Sequence, residues 1–287
     1  MKLIKKLIIS IIVIIAILST CVIGGYIYVR KTYNIDLFSV ANQLKILTEE
    51  VDESLYTNAY SNDDLASMQN EINGKIKDLV VYKENEGYNG YSMNFNNLAD
   101  KKLNSPISLT EKQTASLIEM LFYQKQNGKI AINGKDVNVD IIQVDFVISS
   151  ENTLFNIVSK IDLKPFKNDM NSFPYKYLKK YIPEYLYVSS AVYVNKLGEE
   201  TLDYKTSHAY LTLNNLNKEE TESLFKTLDI VLKIGAIEDL NMEISNVAIN
   251  TLIGNEKNPG FAYSLKQIGA ISFNFGVSLN MDWFVVY

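Results

Sequence analysis

Residues Leu7–Val29 read LIISIIVIIAILSTCVIGGYIYV, 23 in a row without a charge, and no other feature restricts the chain as strongly. At 1.5 Å per residue the run makes about 34 Å of helix, enough to cross roughly 30 Å of hydrocarbon. Lys2, Lys5 and Lys6 precede it, Arg30 and Lys31 follow it, and Tyr26 and Tyr28 sit where interfacial aromatics are expected. Residues 1–31 are therefore expected to be a single-pass transmembrane anchor. The slight excess of cations before the run predicts a cytoplasmic N-terminus and an extracytoplasmic remainder.

A cleaved secretory signal fits less well, because its apolar core is shorter and no small-residue cleavage site precedes Tyr26. A lipoprotein signal is the stronger rival: Leu18-Ser19-Thr20-Cys21 is similar to a lipobox ending on an acylated cysteine. Thr20 is large for its position there, and Val22, Ile23 and Ile27 prolong the apolar run. Either assignment ties the remainder to the outer side of a cell membrane.

Composition narrows what that remainder does. The whole chain carries −5, but its first 31 residues hold five cations and no acids. Residues 32–287 keep 23 Lys and Arg against 33 Asp and Glu, a net charge of −10. Such a domain repels phosphate backbones, which argues against a nucleic-acid partner. One Cys and one His exclude a disulfide framework and a Cys/His zinc site. Gly24-Gly25 lies inside the anchor, so no glycine-rich loop cradles a phosphate, and neither metal nor cofactor is expected.

Residues 32–78 are expected to form two juxtamembrane amphipathic helices. Leu37, Val40, Ala41, Leu44, Leu47, Val51 and Leu55 follow the 3.6-residue period over 34–56. Leu65, Met68, Ile72 and Ile76 do so in a second helix that starts at Ser61 or Asn62, with Asp63 and Asp64 in its first turn. From residue 79 the period shifts toward two. Strands are expected at Leu79–Tyr82 and Tyr91–Phe95, then a helix opened by Ser108-Leu109-Thr110-Glu111 with Ser or Thr as its cap, then a hairpin at Asn133-Gly134. Further strands are expected at Asp136–Ser149, Leu154–Leu163, Tyr185–Asn195 and Thr201–Leu213. A helix over Lys218–Lys233 and strands at Asp239–Thr251 and Phe261–Gln267 follow. In Asp136–Ser149 the apolar phase flips after Ile141, which predicts a bulge.

The fold class is thus α+β: long, curved antiparallel sheet with packed amphipathic helices over residues 79–287. Leu109–Ile118 echoes Leu216–Phe225, and Asp136–Ile141 echoes Asp239–Ile244. If that echo is structural, the domain is two fused halves, 79–195 and 196–287.

The C-terminus, ISFNFGVSLNMDWFVVY, alternates apolar and polar or small residues from Ile271 until Phe284. Read as one continuous strand it spans roughly 55 Å, far beyond a usual strand, and must coil around something. Its odd positions Phe273, Phe275, Val277, Leu279, Met281 and Trp283 are the candidate residues for an apolar ligand. Long one-faced strands and capped helices behind an anchor resemble tubular lipid-binding and AsmA-like proteins. They are also similar to small anchored exported proteins of Gram-positive bacteria whose sheets follow a Leu-Thr-x-x-Gln helix like Leu109–Gln113. The resemblance covers about residues 79–287 and implies a groove for acyl chains; it transfers no catalytic residue.

Phe173–Tyr187 departs from the acidic average, with five Tyr and three Lys in 15 residues. Either these rings cover the end of the sheet, or Tyr175, Tyr177, Lys179, Lys180 and Tyr181 meet the membrane interface or a glycan. Catalysis is not expected. His208 is the only imidazole, lies on a strand beside Leu202, Tyr204 and Tyr210, and has no serine in a nucleophile elbow to serve. The acidic pairs occupy caps and helix surfaces, leaving only Asp140, Asp145 and Glu243 among apolar residues. The expected function is to bind or shelter an apolar ligand such as lipid. The alternative is an interaction or structural protein of the cell envelope, with 34–78 as its partner surface.

Overall fold

The computed structural model describes residues 6–11, 13, 36–132, 135–149, 152–169, 182–232, 235–278 and 281–287. Most of the apolar run 7–29 lies outside the described residues, as does the Tyr/Lys set Tyr175, Tyr177, Lys179, Lys180 and Tyr181. Among the described residues no helix is long and apolar enough to cross a membrane.

The juxtamembrane segment enters the domain itself. Asp36 caps α1 (Leu37–Thr48) by accepting from the Phe38 N–H, and the face carrying Val40, Leu44 and Leu47 is buried. Ser61 and Asp64 form a reciprocal capping box at the start of α2 (Asn62–Lys75), whose Leu65, Met68 and Ile72 are fully buried. Of the stripe expected over 34–56, Val40, Leu44 and Leu47 enter the core while Ala41 and Leu55 are exposed; the stripe of α2 is buried throughout. Between them a 3₁₀ turn, Glu53–Leu55, interrupts the helix expected to run to residue 56.

β1 (Val80–Tyr82) and β2 (Tyr91–Met93) form a small antiparallel pair. β3 (Ile107–Thr110) then runs straight into α3 (Glu111–Gln126). Thr110 and Gln113 make the capping box that starts α3, and Asn127 in the left-handed region ends it. The main sheet follows as an antiparallel meander in the order β4 (Lys129–Ile132), β5 (Lys135–Ile148), β6 (Thr153–Asp162), β7 (Tyr185–Lys196) and β8 (Tyr204–Leu213). Ile132 pairs with Lys135, the register of a two-residue hairpin loop, as the Asn-Gly pair predicts. The register shifts between Ile141 and Gln143, where the apolar phase of the sequence flips. A second shift, between Ala191 and Val192, skips Ala209, so the extra residue lies in β8. A short helix α4 (Lys164–Asp169) follows β6.

After β8 come α5 (Lys218–Leu232) and α6 (Ile237–Leu252). The strand expected at Asp239–Thr251 is thus a helix. Leu240, Ile244, Ala248 and Leu252 are buried at four-residue spacing, and the brief alternation Leu240, Met242, Ile244 lies within that helical period. The strand expected at Phe261–Gln267 is a short helix α7 (Phe261–Ser264) continued by the 3₁₀ turn Leu265–Ile268. The echo of Asp136–Ile141 with Asp239–Ile244 fails in consequence, since the first is strand and the second helix.

The C-terminal stretch is not one strand. It folds back on itself as β9 (Phe273–Ser278) and β10 (Met281–Val286), and β3 lies on the other side of β10. Ser278 pairs with Met281, so Phe275 faces Phe284 and Phe273 faces Val286. Directly paired residues share a sheet face, so the core face switches from odd positions in β9 to even positions in β10. Phe273, Phe275, Phe284 and Val286 accordingly enter the core together.

Two apolar clusters fill the interior. The first joins α2, β1, β3, α6, α7, β9 and β10 to the Phe146–Phe155 end of the main sheet. The second lies over the other end and holds Val137, Val139, Ile161, Val188 and Leu213 with residues of α1, α5 and α6. The opposite sheet face is mixed, carrying Asp145, Asn156 and Lys160 together with the exposed Val147 and Tyr193, and is crossed by residues 49–60. Glu53 there takes hydrogen bonds from Lys160 at 2.6 Å and from the Tyr187 hydroxyl, and Tyr56 stacks on Tyr187.

Candidate functional site

The long strands put their apolar residues on one face, and α3 and α6 lie across it. Where these two helices meet the sheet, Ile118, Phe122, Val139, Val188, Ile244 and Ala248 line a cavity of about 30 Å³. That volume holds a water molecule or so and is far too small for an acyl chain. Ser159 and Glu243 are polar groups in its wall.

At the same end of the sheet the apolar surface receives a cover from the start of the chain. Residues 6–11 are helical, and Leu7, Ile8 and Ile11 are 1, 1 and 2% exposed. They belong to the same cluster as Val40, Leu44 and Leu47 of α1, Phe122 of α3 and Val139 of β5. Burying three aliphatic side chains of this size is worth about 5–9 kcal/mol. The first residues of the apolar run are thus part of the domain's interior, which the hydropathy pattern alone does not reveal.

The expected ligand residues do not share a surface. Phe273 and Phe275 are buried in an aromatic cluster with Phe146, Phe155 and Phe284, ring centroids 4.8–6.3 Å apart. Val277 is 64% exposed, and Trp283 pairs with Gly276 on the sheet face opposite Phe275. Leu279 lies outside the described residues, and for Met281 only the backbone is described.

The residues weighed for chemistry are also kept apart. The Nδ2 of Asn241 lies 2.8 Å from Nδ1 of His208, and Asn241 also bonds Ser190, which in turn meets Ser245 at 2.6 Å. Ser190, Asn241 and Ser245 are all fully buried, so His208 serves a polar network that locks α6 onto β7 and β8. Asp140 alternates with the buried Val139 and Ile141 and faces the opposite side of the sheet from Glu243. Asp145 accepts from Asn58, Gln143 and Asn156. Among the described residues no group of three or more His, Cys, Asp or Glu is placed to hold a metal ion.

Sequence reasoning missed two carboxylates that cap a sheet edge. β4 covers only the first residues of β5, and beyond them Glu119 accepts the Ile141 N–H at 2.6 Å and Glu111 the Phe146 N–H at 2.5 Å. Burial raises the pKa of both, Glu119 to about 8. Their eight-residue spacing on one helix face was the available signal, but acidic residues on a helix usually face water.

Compared with models of known protein families, with curated proteins and with solved structures, the chain matches none.

Proposed function

We propose that this chain is a single-pass, membrane-anchored extracytoplasmic binding protein that shelters an apolar ligand of the acyl-chain type. Its ligand face is the half of the main sheet over which Leu7, Ile8 and Ile11 lie, not the C-terminal strand. The observation that carries this reading is the double use of those three residues. They are buried against Val40, Val139 and their neighbours, and they also open the 23-residue apolar run.

A helix crossing the bilayer from residue 7 draws Leu7, Ile8 and Ile11 into hydrocarbon, away from the domain. The sheet face they cover then loses an apolar lid worth several kcal/mol and needs another. A fatty acyl chain from the adjacent bilayer supplies that lid without adding charge to an anionic domain. Binding is by burial, and no covalent step is involved.

Two measurements on the full-length chain test this. Lys6→Cys in a Cys21→Ser background should resist a membrane-impermeant maleimide in intact cells and react after permeabilisation. Native mass spectrometry of detergent-released protein should show a lipid-sized adduct. Labelling from outside, or a chain that carries no adduct, overturns the proposal.

A further inference from the structure

Away from that face, the β1–β2 hairpin and the end of α3 enclose a groove of about 590 Å³. Four tyrosines line it: Tyr82, Tyr88, Tyr91 and Tyr123. We infer that this groove is a binding site for neutral oligosaccharides, with the tyrosine rings as the stacking platform. The site is independent of the apolar sheet face and of any lipid.

The groove is built in advance of a ligand. Tyr88 and Tyr91 exchange both backbone hydrogen bonds, at 2.9 and 2.8 Å, across a tight Asn89-Gly90 turn in which both central residues have positive φ. A Cβ on Gly90 would lie 2.4 Å from Cε2 of Tyr82, so glycine lets that ring lie directly on the turn. The Tyr82 ring sits 5.0 Å from Tyr91, and Tyr88 sits 5.6 Å from Tyr123. Tyr88 is further fixed by a 2.5 Å contact between its hydroxyl and that of Tyr60. Despite this support Tyr82 remains 55% exposed, an aromatic surface held rigid and left in water.

The rest of the lining selects the ligand class. Asn62, Asn85 and Asn89 stand among the rings, Glu84 is the one acidic residue in the wall, and no Lys or Arg is present there. The absence of cations removes phosphorylated and nucleic-acid ligands. The absence of Leu, Ile, Val and Met removes the aliphatic pockets by which most peptides are read.

Aromatic grooves also take proline-rich peptides. Asn89 Nδ2 donates to Oδ1 of Asn62 at 3.2 Å, but proline, which has no N–H, would leave the amide oxygens of Asn85 and Asn89 unmatched. A sugar fits both halves: its hydroxyls donate and accept in pairs, as an asparagine amide does, and its C–H face covers a ring. The volume lies within the roughly 300–1,000 Å³ usual for small-ligand clefts.

The test is isothermal titration of the full-length chain in detergent with chitohexaose, cellohexaose, maltohexaose and mannohexaose, and with decaproline as the peptide control. At least one hexasaccharide should bind with Kd below about 1 mM. Tyr82→Ala should weaken it by about tenfold or more, and Tyr82→Phe, which keeps the ring, by less than about twofold. Asn85→Gly, which keeps the left-handed backbone and removes the amide, should also weaken binding without changing the melting temperature. The inference is overturned if no hexasaccharide binds, if Tyr82→Ala and Asn85→Gly bind as the wild type does, or if decaproline binds in preference.

Discussion

The side-chain carboxyl group of Glu119 accepts a 2.6 Å hydrogen bond from the backbone N–H of Ile141, in the interior of the domain. Eight residues earlier on the same helix, Glu111 does the same for Phe146. An open strand edge is a liability because its N–H groups invite another chain. Here α3 closes the edge with side chains where β4 stops.

The Glu119 pair predicts a specific pH dependence. Burial lifts its pKa from 4.5 to about 8, the Ile141 N–H opposes the shift, and Asp140 adds to it. The folded state therefore holds this proton more tightly than the unfolded chain. The stabilisation is complete below about pH 4.5 and fades as pH rises through 8. The urea midpoint should fall between pH 5 and pH 8.5, and Glu119→Gln should remove on the order of 3 kcal/mol of that fall. An unchanged pH slope in the variant would assign the effect to another group.

Asn58 holds residues 49–60 to the sheet. Its amide donates to Glu111 at 2.5 Å and to Asp145 at 3.1 Å, standing between two carboxylates. Asn58→Leu leaves those acids facing one another and should cost about 2–3 kcal/mol. Limited proteolysis within 49–57 should quicken in parallel. A double-mutant cycle with Glu111→Gln should give coupling above about 0.5 kcal/mol.

Asn241 ties α6 to β7 through Ser190 and the Ala191 carbonyl. Removing this buried amide breaks its hydrogen bonds to Ser190, the Ala191 carbonyl and His208 at once, so Asn241→Ala should cost about 3 kcal/mol in chemical denaturation. His208→Ala, at the half-exposed rim of the same network, should cost less than about 1.5 kcal/mol.

Two glycines should respond in opposite directions. Gly254 has φ +77°, and a Cβ there would lie 1.9 Å from the Gly260 nitrogen, so Gly254→Ala should cost at least about 2 kcal/mol. Gly74 lies in α2 with open space where a Cβ would go, and Gly74→Ala should gain about 0.5 kcal/mol. Thermal melts of both variants check the pair.

Much of the fold was legible from local pattern. The capped helix starts near Ser61 and within Ser108–Glu111, the Asn133-Gly134 hairpin and the bulge after Ile141 all depend on interactions within a few residues. The errors share one cause. Asp239–Thr251 and the C-terminal stretch each admit two periods or two pairings, and only contact with other segments chooses between them. In the C-terminal case a two-residue fold-back swaps the inward face, which alternation along the sequence cannot signal. The tyrosine groove was equally hidden, because Tyr82, Tyr91 and Tyr123 meet only after α3 has packed beside β2.

By itself the sequence determined an apolar run fit for a bilayer, an anionic domain and the starts of its helices, since hydropathy, charge and capping act at short range. Tertiary structure alone decided that Leu7, Ile8 and Ile11 cover a sheet more than a hundred residues away, and that carboxylates finish its edge. The free energy of burial depends on which surfaces meet, and that is a property of the folded whole.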